Sequence, residues 1–175
     1  MHLCTTNETQ KILFVCSGNI SRSFLAEILF ENEVEQVGAD HISASSAGLF
    51  AYPGNPPDSR MVDYLAGLGL SEKGHSATQV TREAVDWADL IMVMEQDHDL
   101  TIKKLWPEAS HKVKRLGEFI SDGQDADDII DPFGKSPYHY RLAQSQISLA
   151  VKSLVKKLVS VENVGPNAQD HNNSG

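Results

Sequence analysis

Cys16 and Arg22 frame the run Cys-Ser-Gly-Asn-Ile-Ser-Arg, with Ser23 directly after it. A thiol and a guanidinium at this spacing suit a loop that wraps an oxyanion and attacks it. Backbone N–H groups in such a turn converge on one point, and a helix starting there adds positive partial charge. The same field favours a thiolate over a thiol, so Cys16 is expected to be a nucleophile. Gly18 lets the chain turn without a Cβ clash. Asn19 tolerates left-handed backbone, and its amide can brace the loop. Arg22 offers a planar fork that matches two phosphate oxygens, and the Ser23 hydroxyl can donate to the sulfur. A buried, inert cysteine is the plainer reading of Cys16 alone, but it leaves the rest of the run unexplained. The run is not a nucleotide-binding P-loop, because no Gly-Lys-Ser/Thr follows Gly18.

A thiolate that displaces an ester oxygen needs an acid to protonate the leaving group. Asp131, in Asp131-Pro132-Phe133, is the candidate, because Pro132 restricts the chain on either side of it. The nearby Asp125, Asp127 and Asp128 read as a solvated charge run.

These groups need a scaffold that brings residue 16 and residue 131 together. Short apolar runs at 11–16, 41–47, 89–94 and 112–116 are the strand candidates, and three of them read as strands buried on both faces. Helical spacing marks 22–35, 59–68, 96–105 and 137–159. In the last, Ala143, Ile147, Ala150, Leu154 and Leu158 form one stripe. Strands alternating with helices predict an α/β fold: a three-layer open sheet of parallel strands with helices on both faces. Such sheets bind ligands beyond the carboxyl ends of their strands, where Cys16 falls. The loops at 52–58 and 121–137 are long enough to be functional.

The chain has 175 residues and a formal net charge of −9. That length suits one domain, expected at 11–160, with a flexible polar lead at 1–10 and a disordered tail at 161–175. The acidic balance argues against nucleic-acid binding. No apolar stretch approaches the ~20 residues of a membrane span, and residues 1–10 lack the apolar core of a signal peptide. The cysteines are Cys4 and Cys16, too few for a disulfide framework, so a cytoplasmic setting is expected.

From about Lys11 to Leu158 the chain resembles the low-molecular-weight protein tyrosine phosphatase family. Besides the Cys16–Ser23 run and Asp131-Pro132-Phe133, the resemblance includes Ser46-Ala47-Gly48, Gly54-Asn-Pro-Pro-Asp58, His75-Ser-Ala-Thr-Gln79 and Ala88-Asp-Leu-Ile-Met-Val-Met94. It implies a sheet of four parallel strands and hydrolysis of aryl phosphates, phosphotyrosine in proteins, through a phosphocysteine on Cys16. Arg22 and the backbone of Ser17, Gly18, Asn19, Ile20 and Ser21 would bind phosphate. Asp131 would act as acid and then as base. Asn19, Ser23, Ser46 and His75 would support the loop, and Phe133 and Tyr52 would wall the substrate ring. It implies no metal and no cofactor. Its partners would be phosphotyrosine proteins, a tyrosine kinase among them, and its state a monomer or weak dimer.

Three positions depart from the family pattern. Ser21 replaces a common second cysteine, so no vicinal disulfide can protect Cys16. Phe24 replaces a proline, removing a preorganised first helical turn. Gly134 stands where some members carry a second tyrosine. Three other activities compete. Protein arginine phosphatases of the same family share the Asp-Pro-Phe-Gly segment but carry threonine where Ile20 stands. Arsenate reductases need a cysteine relay, and no cysteine follows Cys16. A phosphate-binding module without catalysis would be expected to have lost Cys16, Arg22 or Asp131.

Overall fold

The computed structural model describes residues 9–121 and 126–162. Strands β1 (Gln10–Cys16), β2 (Ile42–Gly48), β3 (Leu90–Val93) and β4 (Val113–Arg115) form one sheet in the order β2-β1-β3-β4. Every pairing is parallel, with Cys16 opposite Gly48 and Val15 opposite Val93. Among the described residues five α-helices accompany the sheet: α1 (Arg22–Gln36), α2 (Ser59–Gly67), α3 (Arg82–Trp87), α4 (Gln96–Leu105) and α5 (Pro137–Glu162). The expected sheet is therefore present, and each predicted strand and helix is found to within three residues at either end. Of the lead expected at 1–10 and the tail expected at 161–175, Gln10 belongs to β1 and residues 161–162 to α5, while 1–8 and 163–175 lie outside the described residues.

Alternation along β1 divides the core. Ile12, Phe14 and Cys16 face a cluster that holds Phe24 and Phe30 of α1, Met61 and Leu65 of α2, and Ala143, Ile147 and Leu154 of α5. Leu13 and Val15 face the opposite cluster, with Val85 of α3 and Ile102 of α4. Helices thus cover both faces of the central strand, which is why β1 reads as unbroken apolar sequence. Of the stripe predicted on α5, Ala143, Ile147, Ala150 and Leu154 are buried and Leu158 is half-buried at its end. β2 is an edge strand with exposed Ser43, so its sequence is more polar.

Periodicity did not reveal α3, because six residues are too few to show it. Its start was nonetheless marked: Thr81 caps it, its hydroxyl accepting from the Ala84 N–H at 3.2 Å. Two 3-10 helices, Pro107–Lys112 and Leu116–Phe119, flank β4. From β1 the chain crosses through α1 to β2 on one side and later returns to β3 on the other. The crevice beyond the ends of β1 and β3 is therefore the topological switch point, where open α/β sheets place their sites.

Candidate active site

At that crevice the chain leaves β1 and winds through residues 16–22 before α1 begins. Asn19 holds the turn: its φ is 56°, in the left-handed region where Asn is enriched among non-glycine residues. It is fully buried, and its polar groups reach three other segments. Its Nδ2 donates to Ser23 Oγ at 3.0 Å and to Ser46 Oγ at 2.9 Å. Its Oδ1 accepts from the Thr78 N–H at 2.9 Å, and its carbonyl accepts from His75 Nε2 at 2.7 Å. The Ser46 hydroxyl in turn donates its hydrogen bond to Glu27 Oε2. Burial raises the pKa of Glu27, against the lowering effect of that hydrogen bond. The supporting residues expected from sequence, Asn19, Ser23, Ser46 and His75, are thus joined in one network.

Cys16 Sγ lies 3.0 Å from Ser23 Oγ and receives the Asn19 N–H at 3.3 Å. Ser23 Oγ already accepts from Asn19, so its O–H is free to donate to the sulfur. Two donors aimed at one sulfur stabilise negative charge on it. Gly48 closes the back of the loop. A Cβ there would come within 2.6 Å of the Ser17 carbonyl oxygen, so only glycine lets β2 pass this close. Phe24, at the position where the family carries proline, is fully buried with its ring centroid 4.5 Å from that of His75.

Arg22 is 2% exposed and is held by partners distant in sequence. Its Nη1 donates to Glu95 Oε1 at 2.5 Å and to the Ile129 carbonyl at 2.8 Å. Its Nη2 lies 3.6 Å from Asp131 Oδ2. The Asp131 loop is pinned one residue at a time. The Asp128 carboxylate accepts from the Gln96 N–H, the Ile129 N–H donates to the Met94 carbonyl, and the Ile130 N–H donates to Gln146 Oε1. Asp128 is therefore a helix cap supplied from another loop and not a member of a free charge run. Asp131 itself is half exposed and accepts from the Phe133 N–H at 3.2 Å.

Cys16, Ser17, Gly18, Ile20, Ser21, Arg22, Tyr52, Asp131 and Phe133 line one cavity of about 400 Å³, together with Phe50 and Asn55. The structure thus brings together the cysteine, the arginine, the aspartate and both expected aromatics. Phe50, Tyr52 and Phe133 are 70%, 77% and 59% exposed, so three rings stand around the mouth. Sequence reasoning missed Phe50, whose signal was only its place two residues before Tyr52. It also missed Glu95 and His98. His98 is buried in α4, with Nε2 3.0 Å from Ser17 Oγ. Burial lowers its pKa, and the Arg22 charge adds to the lowering, while the carboxylates of Glu95, Asp128 and Asp131 oppose it.

Further back, Asp58 ties the loop to two helices. Its N–H donates to the Ile20 carbonyl, its Oδ1 caps α2 through the Arg60 N–H, and its Oδ2 accepts from Tyr140 OH at 2.6 Å. Burial and that hydrogen bond push the Tyr140 phenol up to about 12.

Residues 11–163 match the low molecular weight phosphotyrosine protein phosphatase family. The chain belongs to this family. A protein-arginine-phosphatase of Geobacillus stearothermophilus is 35% identical to this phosphatase over 85% of the present chain and 95% of its own. A probable low molecular weight protein-tyrosine-phosphatase of Ralstonia nicotianae is 34% identical over 84% and 94%. The structure of the tyrosine phosphatase Wzb from Escherichia coli K30, solved in complex with sulphate, superposes with a TM-score of 0.76 at 29% identity, covering 86% of this chain and 99% of that one. The present chain is accordingly a protein phosphatase of the low-molecular-weight type. Among the described residues no helix is long and apolar enough to cross a membrane.

Proposed function

We propose that this phosphatase acts on phosphotyrosine in proteins, and that Cys16, Arg22 and Asp131 carry the reaction. The observation that supports this most directly is the lining of the cavity: Cys16, Arg22 and Asp131 share it with Ile20 and three largely exposed aromatic rings. The loop's N–H groups and the Arg22 fork bind the phosphoryl oxygens and stabilise their charge in transit. The Cys16 thiolate attacks phosphorus and the ester P–O bond breaks. Asp131 gives its proton to the departing phenolate oxygen. The resulting phosphocysteine is then attacked by water, whose proton returns to the Asp131 carboxylate, and the P–S bond breaks to release phosphate and the thiolate. Asn19, Ser23, Ser46 and His75 keep the loop open for both steps. Phe133 and Tyr52 wall the substrate ring, offering their faces and edges to it.

We place the protein in the cytoplasm as a monomer or weak dimer. A reducing compartment keeps a nucleophilic thiol active, and Ser21 leaves Cys16 no second cysteine within its loop. Its partners are phosphotyrosine proteins, with a tyrosine kinase among them.

Phosphoarginine is the competing substrate, favoured by the 35% identical arginine phosphatase and by the Asp-Pro-Phe-Gly segment. Against it stands Ile20, an apolar side chain lining the cavity where arginine phosphatases carry a threonine hydroxyl. A side-by-side kinetic panel of phosphotyrosine, phosphoarginine and phosphoserine peptides, with arsenate added, separates the readings. The phosphotyrosine peptide is expected to show the highest kcat/KM. A phosphoarginine peptide turned over faster would transfer the assignment to the second substrate.

A further inference from the structure

An imidazole lies buried directly beneath the phosphate loop, and the reaction outlined above does not use it. His98, in the first turn of α4, is 4% exposed. Its Nε2 is 3.0 Å from Ser17 Oγ, and its Nδ1 has no hydrogen-bond partner among the described residues. A buried N–H without an acceptor is rarer in folded proteins than an unfilled acceptor, so the proton belongs on Nε2. Nε2–H then donates to Ser17 Oγ. Ser17 cannot return its own proton to that nitrogen, so its O–H is free for the cavity it helps to line.

Ser17, His98 and Glu95 do not form a nucleophile-activating triad. Glu95 Oε1 lies 4.0 Å from Nε2, the nitrogen that faces Ser17, and not beside Nδ1. A protonated Nε2 also has no lone pair with which to take the serine proton. Glu95 instead holds Arg22 at 2.5 Å. The second and the last residues of the loop, Ser17 and Arg22, are thus both tied to the start of α4.

We propose that the Ser17 hydroxyl donates directly to a bound phosphoryl oxygen, and that His98 is the positioning residue that aims it. This deepens the phosphatase reading of the site and rests on it. Ser17 acts by contact with substrate, and His98 acts only through Ser17.

Inorganic phosphate as a competitive inhibitor tests this directly, alongside KM and kcat for an aryl phosphate. Ser17→Ala should weaken phosphate inhibition by about fivefold, the usual worth of one hydrogen bond, and raise KM in step. His98→Asn carries its amide at the Nδ1 position and cannot reach Ser17, so it should match Ser17→Ala. His98→Gln places an amide donor near Nε2 and should restore at least half of the lost affinity. The double variant Ser17→Ala/His98→Asn should bind phosphate no more weakly than either single variant. Unchanged phosphate inhibition in Ser17→Ala would overturn the proposal, even if the His98 variants fail to fold. Fully multiplicative losses in the double variant would also overturn it. Wild-type protein that neither binds phosphate nor hydrolyses aryl phosphates would instead remove the underlying phosphatase reading.

Discussion

Arg22 Nη1 donates to the carbonyl oxygen of Ile129 at 2.8 Å across 107 positions of sequence, and Ile129 lies two residues before Asp131. The guanidinium proposed to bind phosphate therefore also anchors the loop that carries the proposed acid. Arg22 and Asp131 are thereby tied to the same short stretch of chain.

Cys16→Ser should abolish turnover while leaving phosphate binding close to that of the wild type. The loop N–H groups and Arg22 remain, and serine keeps an atom for Ser23 to meet. Equilibrium binding of phosphate by calorimetry, paired with an aryl phosphatase assay, reads both outcomes. Measurable steady-state hydrolysis by this variant would rule out a phosphocysteine.

Asp131→Asn should lower kcat by about 10²–10⁴-fold with a phosphotyrosine peptide, the range for a positioned general acid. The loss should be smaller with para-nitrophenyl phosphate, whose leaving group needs less protonation. A plot of log kcat/KM, which reports the first step alone, against leaving-group pKa should therefore be steeper for the variant than for the wild type. Parallel plots would show that Asp131 does not donate that proton.

Gly117→Ala should harm catalysis from a distance. A Cβ on Gly117 would fall 2.0 Å from the carbonyl oxygen of Asp127, so the backbone leading to Asp131 must move. Overpacking of this kind costs about 1–3 kcal/mol, readable in urea unfolding. A shift of about 1 Å in the acid lowers kcat by up to about 10²-fold. Phosphate inhibition should weaken less than kcat falls, because Glu95 still holds Arg22 when its contact with the Ile129 carbonyl shifts.

The buried His98 sets a sign for acid sensitivity. Its proton is disfavoured in the folded chain by burial, aided by Arg22 and opposed by Glu95, Asp128 and Asp131. The unfolded chain accepts that proton at about pH 6.5 and the folded chain only at lower pH. Between those points the unfolded state binds more protons, so stability is fully present above about pH 6.5 and falls as the solution is acidified through that window. Unfolding midpoints in urea at pH 7.5 and 5.0 should show a smaller drop for His98→Gln than for the wild type. Equal drops would place the acid sensitivity elsewhere.

Much of this site could be read from residues 15–23 and 131–133 because each proposed chemical group lies in a short contiguous run. The local requirement at Asn19, a small polar side chain tolerating positive φ, is visible in a single letter. The partners of Arg22 are not. Glu95 and Ile129 lie 73 and 107 positions away, and one of them contributes only a backbone carbonyl, which every residue has. Asp128 failed for a similar reason: an aspartate in an acidic run looks solvated until the Gln96 N–H is found against it. The short α3 escaped because three-dimensional packing of Val85, and not a repeating stripe, holds it in place.

The alternation along β1 constrains how a chain of this kind can change length. Cys16 shares a face with Ile12 and Phe14, while Leu13 and Val15 point to the other side. Deleting or inserting one residue within β1 would send the thiol into the layer beneath α3 and α4, away from Ser23 and Asn19. A change of two residues preserves parity but breaks the Cys16–Gly48 register. Length variation that preserves catalysis is therefore excluded from the stretch between Gln10 and Arg22, and must be accommodated in connections that do not carry that parity.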